Sequence, residues 1–383
     1  MNTCDIVQLL NKQYEEPSFV VNSLNIDSTN VGRGFTKDPK DKKILNYIVQ
    51  THSLSVSQIV DDKLVPVESI GAFDNTNTYL VHWAFTMVYE QMELILENVF
   101  FYWKGSKAPK GLSPLPPDVD NETAIVNRIV QWSEPPVFFH LLEEKRMVVF
   151  EDNFDPSSPH LFIVLGELSK ELHLYEVSFM KKNLRSRGVF VIAVPQKKII
   201  YIWKGSQITN ELDAVVKGAC LGNTVRNYVD SWKNFEILEM KETEEDILFE
   251  GDTSEYWHVK EVCNYSPKLF FLNTIIGDFS ATEVEYPLRS KDCVAAFPFL
   301  QSHLSISDDV PGYFLLDNNH EMWLITCDLK PSEALRELEA LATQFARSYI
   351  EEKEKMLRVS IPLKCVKVDS VPIEFTNIFP HWN

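Results

Sequence analysis

Long apolar runs are missing from this 383-residue chain. None approaches the ~18–20 residues that a membrane-spanning helix requires. Cysteine is sparse. Cys4, Cys220, Cys263, Cys293, Cys327 and Cys365 are scattered, with no C-x-x-C pair. That spacing excludes a zinc ribbon and suits reduced thiols of a cytosolic protein better than a disulfide framework. Positive charge is in deficit. Lys and Arg number 37 against 55 Asp and Glu, for a net charge of −18, so the basic footprint of a nucleic-acid binder is absent. The opening stretch, MNTCDIVQLLNKQYEEPSF, has no basic region leading into an apolar core, and no secretory signal is read there. Catalytic signatures are lacking too. There is no G-x-S-x-G, H-E-x-x-H or phosphate loop, and the nine histidines show no metal-ligand spacing. No enzyme hypothesis arises. What is plentiful is core material: 45% of residues are hydrophobic and 12% aromatic, enough for two or three packed domains at ~100–200 residues each.

Those domains repeat. VFFYWKGS at 99–106 returns as IIYIWKGS at 199–206, so Trp103 and Trp203 stand 100 residues apart. A second marker runs through the whole chain. EEPSF ends at Phe19, EPPVF at Phe138, DTSEY at Tyr256 and VPIEF at Phe375, with intervals of 119, 118 and 119 residues. A period of this length is far above the 20–45 residues of a solenoid repeat and matches independent globular domains. The divisions that follow are the tail of a preceding repeat with a linker (1–55), then units at 56–138, 139–256 and 257–383.

The middle unit reads most clearly. LHLYEVSF (172–179) alternates as a half-buried strand does, and GVFVIAV (188–194) is a continuous β-branched run suited to a central strand. Turn residues 195–198 lead into IIYIW (199–203), closing a hairpin. Residues 210–229 place Leu212, Val215, Val216 and Ala219 on one face of a long helix, and NFEILEM (234–240) reads as the next strand. The third unit repeats this order. It has a hairpin at 312–325, a helix opening at Pro331-Ser332 with Leu335, Leu338, Ala342, Phe345 and Tyr349 on one face, and a strand at 364–370. In the first unit, residues 77–103 read as two long strands joined by a wider connection. Pro114, Pro116 and Pro117 then occupy the place where the long helix should begin, which predicts a short, displaced or delayed helix near 121–130. The fold class is α+β, with a helix laid on a mixed sheet in each unit.

The segments LRSRGVFVIAVPQKKIIYIWKG (184–205), KLFFLNTIIGDFSATEVEYP (268–287), FPFLQSHLSISDD (297–309), YFLLDNNHEMWL (313–324) and EFTNIFPHW (374–382) resemble the villin/gelsolin family. The resemblance runs from about Asp62 to the end. It implies tandem gelsolin-like domains matching the family's repeats four to six, each a mixed five- or six-stranded sheet flanked by one long and one short helix. The small headpiece that follows the repeats in villin-type members is not among these residues. The implied partner is actin, with a cytoplasmic location at the actin cytoskeleton and cell cortex.

Family repeats hold calcium with a carboxylate just before the central strand and a glutamate on the long helix, a hard-oxygen set suited to that ion. Here the pre-strand position reads Thr76-Asn77 in the first unit and Arg187-Gly188 in the second. Calcium is therefore expected to be lost from both. In the third, Asp308 and Asp309 remain candidates with Glu333 or Glu337, although Pro311-Gly312 shift them from the strand. Lys181, Lys182, Arg185 and Arg187 are the densest cation cluster in an acidic chain. They suit either a phosphoinositide or acidic-partner patch or a solvated loop. Trp103 and Trp203 read as core packing. Two functional readings follow: an actin-binding module without calcium gating, or a scaffold for other cytoskeletal or membrane-cortex partners.

Overall fold

The computed structural model describes residues 5–14, 19–22, 25–26, 36–37, 44–45, 48–89, 92–109, 125–142, 144–208, 210–258, 264–289, 294–305, 311–326 and 332–382. A short helix, α1 (Ile6–Leu10), precedes four short strands, β1 (Phe19–Asn22), β2 (Asn25–Ile26), β3 (Thr36–Lys37) and β4 (Ile44–Leu45), which form a small sheet.

Three larger sheets follow, each built on one plan. The first contains β5 (Ile48–Val60), β6 (Lys63–Pro66), β8 (Thr78–Tyr89), β9 (Met92–Lys104) and β10 (Ile125–Val130), in the order β10-β9-β8-β5-β6. Between them, β7 (Ala72–Asp74) leaves this sheet for the next, and α2 (Pro136–Leu141) closes the unit. The second sheet contains β11 (Met147–Phe150), β12 (His160–Leu165), β13 (His173–Val177), β14 (Val189–Val194) and β15 (Ile199–Lys204), then α3 (Glu211–Tyr228) and β16 (Glu236–Lys241). Its order is β16-β15-β14-β12-β13-β11-β7. The third contains β17 (Lys268–Asn273), β18 (Ser280–Glu283), β19 (Tyr313–Asp317) and β20 (Met322–Thr326), then α4 (Glu333–Leu357), β21 (Leu363–Lys367) and a closing helix α5 (Ile373–Thr376), in the order β18-β17-β19-β20-β21.

In every unit an antiparallel hairpin is followed by a crossover, and the next strand pairs in parallel with the hairpin's second arm. This holds for β9–β10, β15–β16 and β20–β21. Parallel pairing requires a crossover of a dozen or more residues, which is the work of α3 and α4. The fold is mixed α+β, as the alternating patterns imply.

The first unit departs from the expected helix. Residues 125–130 are strand β10, paired Ile125↔Val99 through Val130↔Lys104. Val126 and Ile129, β-branched and so restricted in a helix, pack instead on the pleated sheet. The open edge of β9 supplies that sheet. Residues 110–124, with the three prolines, lie outside the described residues. The connection between β8 and β9 is tight, since the ladder continues to Tyr89↔Met92.

The middle sheet has seven strands rather than five or six, because β7 pairs in parallel with β11 (Val148↔Ala72). The first two units consequently share one apolar core, holding Phe73, Phe101 and Trp103 together with Leu161, Phe190 and Trp203, and Leu288 and Phe297 of the third unit enter it. The third unit has its own cores, one under α4 and one between its sheet and α5.

The two long helices differ in how they pack. Asn210 caps α3, accepting from the Asp213 amide at 3.2 Å, and Ser332 caps α4, accepting from the Leu335 amide at 3.1 Å. On α4 the buried face is Leu338, Ala342, Phe345, Ala346, Tyr349 and Ile350, close to the expected stripe. On α3 it is rotated: Ala214, Leu221 and Val225 are buried, while Val216 is 60% exposed. Gly218 and Gly222 lie on the contact side. A methyl group at Gly218 would come within 2.3 Å of Ile202 Cγ2, so glycine lets α3 sit directly on β15 and β14.

Candidate functional site

In each unit the boundary aromatic packs near a buried tryptophan of the hairpin's second arm. Trp103 and Trp203 stand near the ends of β9 and β15, Trp323 lies near the start of β20, and all three are buried. The boundary aromatics pack beside them: Tyr256 lies edge-on to Trp203 at 5.9 Å and Phe375 edge-on to Trp323 at 5.3 Å. Phe138 meets Phe101 at 5.7 Å and Phe73 at 6.1 Å, and Phe73 in turn meets Trp103 at 4.9 Å. Buried carboxyls satisfy two of the indoles. Trp103 Nε1 donates to Glu134 Oε1 at 2.7 Å, and Trp203 Nε1 donates to Glu245 Oε2 at 3.0 Å. A fully buried indole N–H needs such a partner.

The glycine after each of the first two tryptophans explains why W-K-G recurs. A Cβ on Gly105 would fall 2.2 Å from Asn75 O, and one on Gly205 would fall 2.1 Å from Ser186 O. The backbone there docks on the loop before the central strand: Gly105 N donates to Asn77 O at 3.0 Å, and Gly205 N to Gly188 O at 3.1 Å. Thr76-Asn77 and Arg187-Gly188 are thus structurally equivalent, and they are where the resemblance would put calcium ligands.

The residues at the second of these positions do not fit calcium. Arg187, Gly188, Glu167, Asn210, Asp213 and Lys217 line a cavity of about 150 Å³ between the pre-strand loop and the start of α3. Lys217 Nζ lies 2.9 Å from Asp213 Oδ2 and donates to Glu167 O at 2.8 Å. An ammonium therefore already draws on the carboxylate and carbonyl oxygens that a divalent cation would need, beside a second cation, Arg187. Calcium wants six to eight oxygens and no neighbouring positive charge. In the first unit the Thr76 amide donates to Asp74 Oδ1 at 2.8 Å, and this carboxylate caps its own turn. In the third, Asp308 and Asp309 lie outside the described residues. Glu333 is exposed at the first turn of α4. Among the described residues, no group of three or more His, Cys, Asp or Glu is placed to hold a metal ion.

The cation cluster at 181–187 does not present one surface. Arg185 is 2% exposed. Its Nε donates to Phe379 O at 2.8 Å, and its Nη1 to Lys182 O and Leu184 O at 2.7 and 2.8 Å. Burial and the charge of Arg187 oppose its ionisation, and the three carbonyls offset that cost. Lys181 pairs with Asp246 at 2.5 Å. The Lys182 amide is bonded to Ser254 Oγ at 3.0 Å, and Arg187 faces the cavity described above. A patch formed by these four cations would lose Arg185 to the interior. Sequence gives no sign of this, because the residue Arg185 bonds lies 194 positions away.

Two buried polar sites escaped sequence reasoning. Glu134 is fully buried, and desolvation pushes its carboxyl up to about 7 despite the Trp103 and Tyr175 hydrogen bonds. In the third unit Asp317, at 0% exposure, joins β19 to α4. Lys353 Nζ lies 2.5 Å from its Oδ1, while Tyr265 and Tyr349 hydroxyls donate to Oδ2 at 2.8 and 2.9 Å. The only sequence signal was Tyr349 and Lys353 one helical turn apart, a spacing that puts both on one face.

No family model matches the chain. Among known proteins it is similar to supervillin of Bos taurus, 29% identical over 93% of this chain and 18% of that protein. It is 26% identical to cytoplasmic gelsolin of Halocynthia roretzi, over 57% of this chain and 31% of that protein. Protovillin of Dictyostelium discoideum is 26% identical over 82% of this chain and 32% of that protein. The chain thus spans between a fifth and a third of the length of these relatives. Of solved structures, a chain in the Thorarchaeota 2DGel3/rabbit actin complex aligns at 15% identity and a TM-score of 0.21, over 58% of this chain and 99% of the other. The hairpin–crossover–parallel-strand plan, the recurring boundary aromatic and the agreement of three relatives point the same way: the chain is a series of mixed α+β units similar, over most of its length, to proteins of the villin and gelsolin family.

Proposed function

We propose that this chain is an actin-binding module of the cytoskeleton that works in the cytoplasm without a calcium switch, its three repeats divided near residues 138 and 256. The observation that carries the calcium-independent part is Lys217 bonded to Asp213 and Glu167 O beside Arg187. Actin as partner rests on the similarity to villin and gelsolin relatives and on the retention of fold-bearing residues in all three units. The test is cosedimentation with filamentous actin in calcium and in chelator. Equal pelleting in both is the expected result. Pelleting or filament severing that requires calcium would overturn the proposal. So would calorimetry that finds two or more micromolar calcium sites. Failure to pellet in either condition would replace actin with the scaffold reading and leave calcium independence to the calorimetric result.

A further inference from the structure

The segment before the first repeat is seated on the last one. α1 lies against α4, and Ile6, Leu9 and Leu10 pack onto the apolar cluster formed by Phe270, Leu338, Phe345 and Tyr349. Those three residues are spaced i, i+3, i+4, so a single helical face enters the contact. The polar contacts that follow are more telling. Lys268, buried at the start of β17, donates to the Leu9 and Leu10 carbonyls at 3.2 and 3.5 Å. A cation there meets the unsatisfied carbonyls and negative end of α1. Glu283, whose side chain is 4% exposed, accepts from Lys12 Nζ at 2.9 Å and from the Tyr14 hydroxyl at 2.7 Å. Arg289 lies over the Tyr14 ring at 4.8 Å, with Lys268 5.5 Å from the same centroid.

Three charged side chains of the third repeat are therefore buried and turned toward residues 9–14. Burying a charge is costly unless a partner meets it. A carboxylate and two cations held in this arrangement form a recognition site rather than a chance contact. We propose that the face of the third repeat between α4, β17 and β18 is a helix-binding groove whose occupant is residues 5–14 of the same chain. The groove selects an apolar i, i+3, i+4 triplet followed by a lysine and a tyrosine, and it joins residues 5–14 to the third repeat. It is independent of any actin or calcium activity.

The test uses the whole chain carrying Ile6→Asp, Leu10→Asp and Tyr14→Ala together. These positions are at most partly buried, and a cooperative melt like that of the unaltered chain verifies folding. A fluorescein-labelled peptide of residues 1–18 is titrated against both proteins by fluorescence polarisation. The expected result is saturable binding to the altered chain, at least tenfold tighter than to the unaltered one, whose groove is filled. Adding Glu283→Gln should weaken that binding at least fivefold. Equal affinity for both proteins, or no saturable binding to the altered one, overturns the proposal. A second measurement needs no variant: amides of residues 8–11 in the unaltered chain should exchange with deuterium at least tenfold more slowly than in the free peptide. Unprotected exchange overturns the cis assignment, as does a concentration-dependent dimer in sedimentation that loses its protection on dilution.

Discussion

Glu134 and His173 face the same junction and titrate with opposite consequences. Burial raises the Glu134 carboxyl from 4.5 to about 7 and lowers the His173 imidazole from 6.5 to about 4. For Glu134 the unfolded chain releases its proton near pH 4.5 while the folded chain keeps it to about 7. Stability is therefore lost as pH rises through that window. For His173 the unfolded chain takes up a proton below 6.5 that the folded chain refuses until about 4, so stability is lost as pH falls through that window. Glu134→Gln should keep a side-chain oxygen for the Trp103 indole while removing the ionisation. Thermal melts from pH 5 to 8 should show the variant gaining on the parent as pH rises, by on the order of 3 kcal/mol at full ionisation. A constant difference across that range would mean that the carboxyl is ionised throughout. None of this was legible in the sequence. Glu134 reads there only as the acid of a boundary marker, and its depth depends on Trp103 and Tyr175 closing over it.

Among the secondary-structure elements, α3 and α4 show what pattern reading captures and what it misses. Helix α4 buries large side chains at Leu338, Phe345 and Tyr349, so its stripe is visible to hydrophobic periodicity. Helix α3 makes its closest approach through Gly218 and Gly222, which carry no hydrophobic signal, and the reading consequently turned the helix toward Val216. Strand β10 was misread for another reason. Its apolar residues suit either a helix or a strand, and only the open edge of β9 decides between them. Gly218→Ala tests the close packing on α3. Alanine is favoured over glycine in a helix by ~1 kcal/mol, but its methyl would meet Ile202 Cγ2 at 2.3 Å. Overpacking of this kind costs ~1–3 kcal/mol. The expected net effect is a lower melting temperature, read by circular dichroism. A more stable variant would show that α3 can lift from β15 at little cost.

Across the whole molecule, the third unit meets the first two through apolar side chains, Leu288 and Phe297 among them, and through a few polar contacts. Arg185 of the second unit spans from the loop before β14 to the Phe379 carbonyl, and His381 stacks near Trp132 of the first unit at 5.6 Å. Replacing Arg185 by Ala removes the tie and leaves the carbonyls of Lys182, Leu184 and Phe379 without that donor. Leaving buried groups unsatisfied costs ~1–3 kcal/mol each. Calorimetry should show the single unfolding transition of the parent splitting in two, with the third unit melting first. A single transition merely shifted downward would place the coupling elsewhere. The order of units along the chain was legible from the 118- and 119-residue intervals, but these ties were not, because no local pattern marks a contact between residues 185 and 379.

The short strand β7 has a further consequence. It belongs by sequence to the first unit, yet it lies parallel to β11 in the second sheet. Tension applied along the chain enters this pair at the start of β7 and leaves at the end of β11, that is, from opposite ends of two parallel strands. Such a load strains all their hydrogen bonds at once instead of opening them one after another. Under pulling, the first two units therefore behave as one mechanical element that resists until it yields in a single rupture. The third sheet shares no strand with them among the described residues, so no such pair joins it to this element.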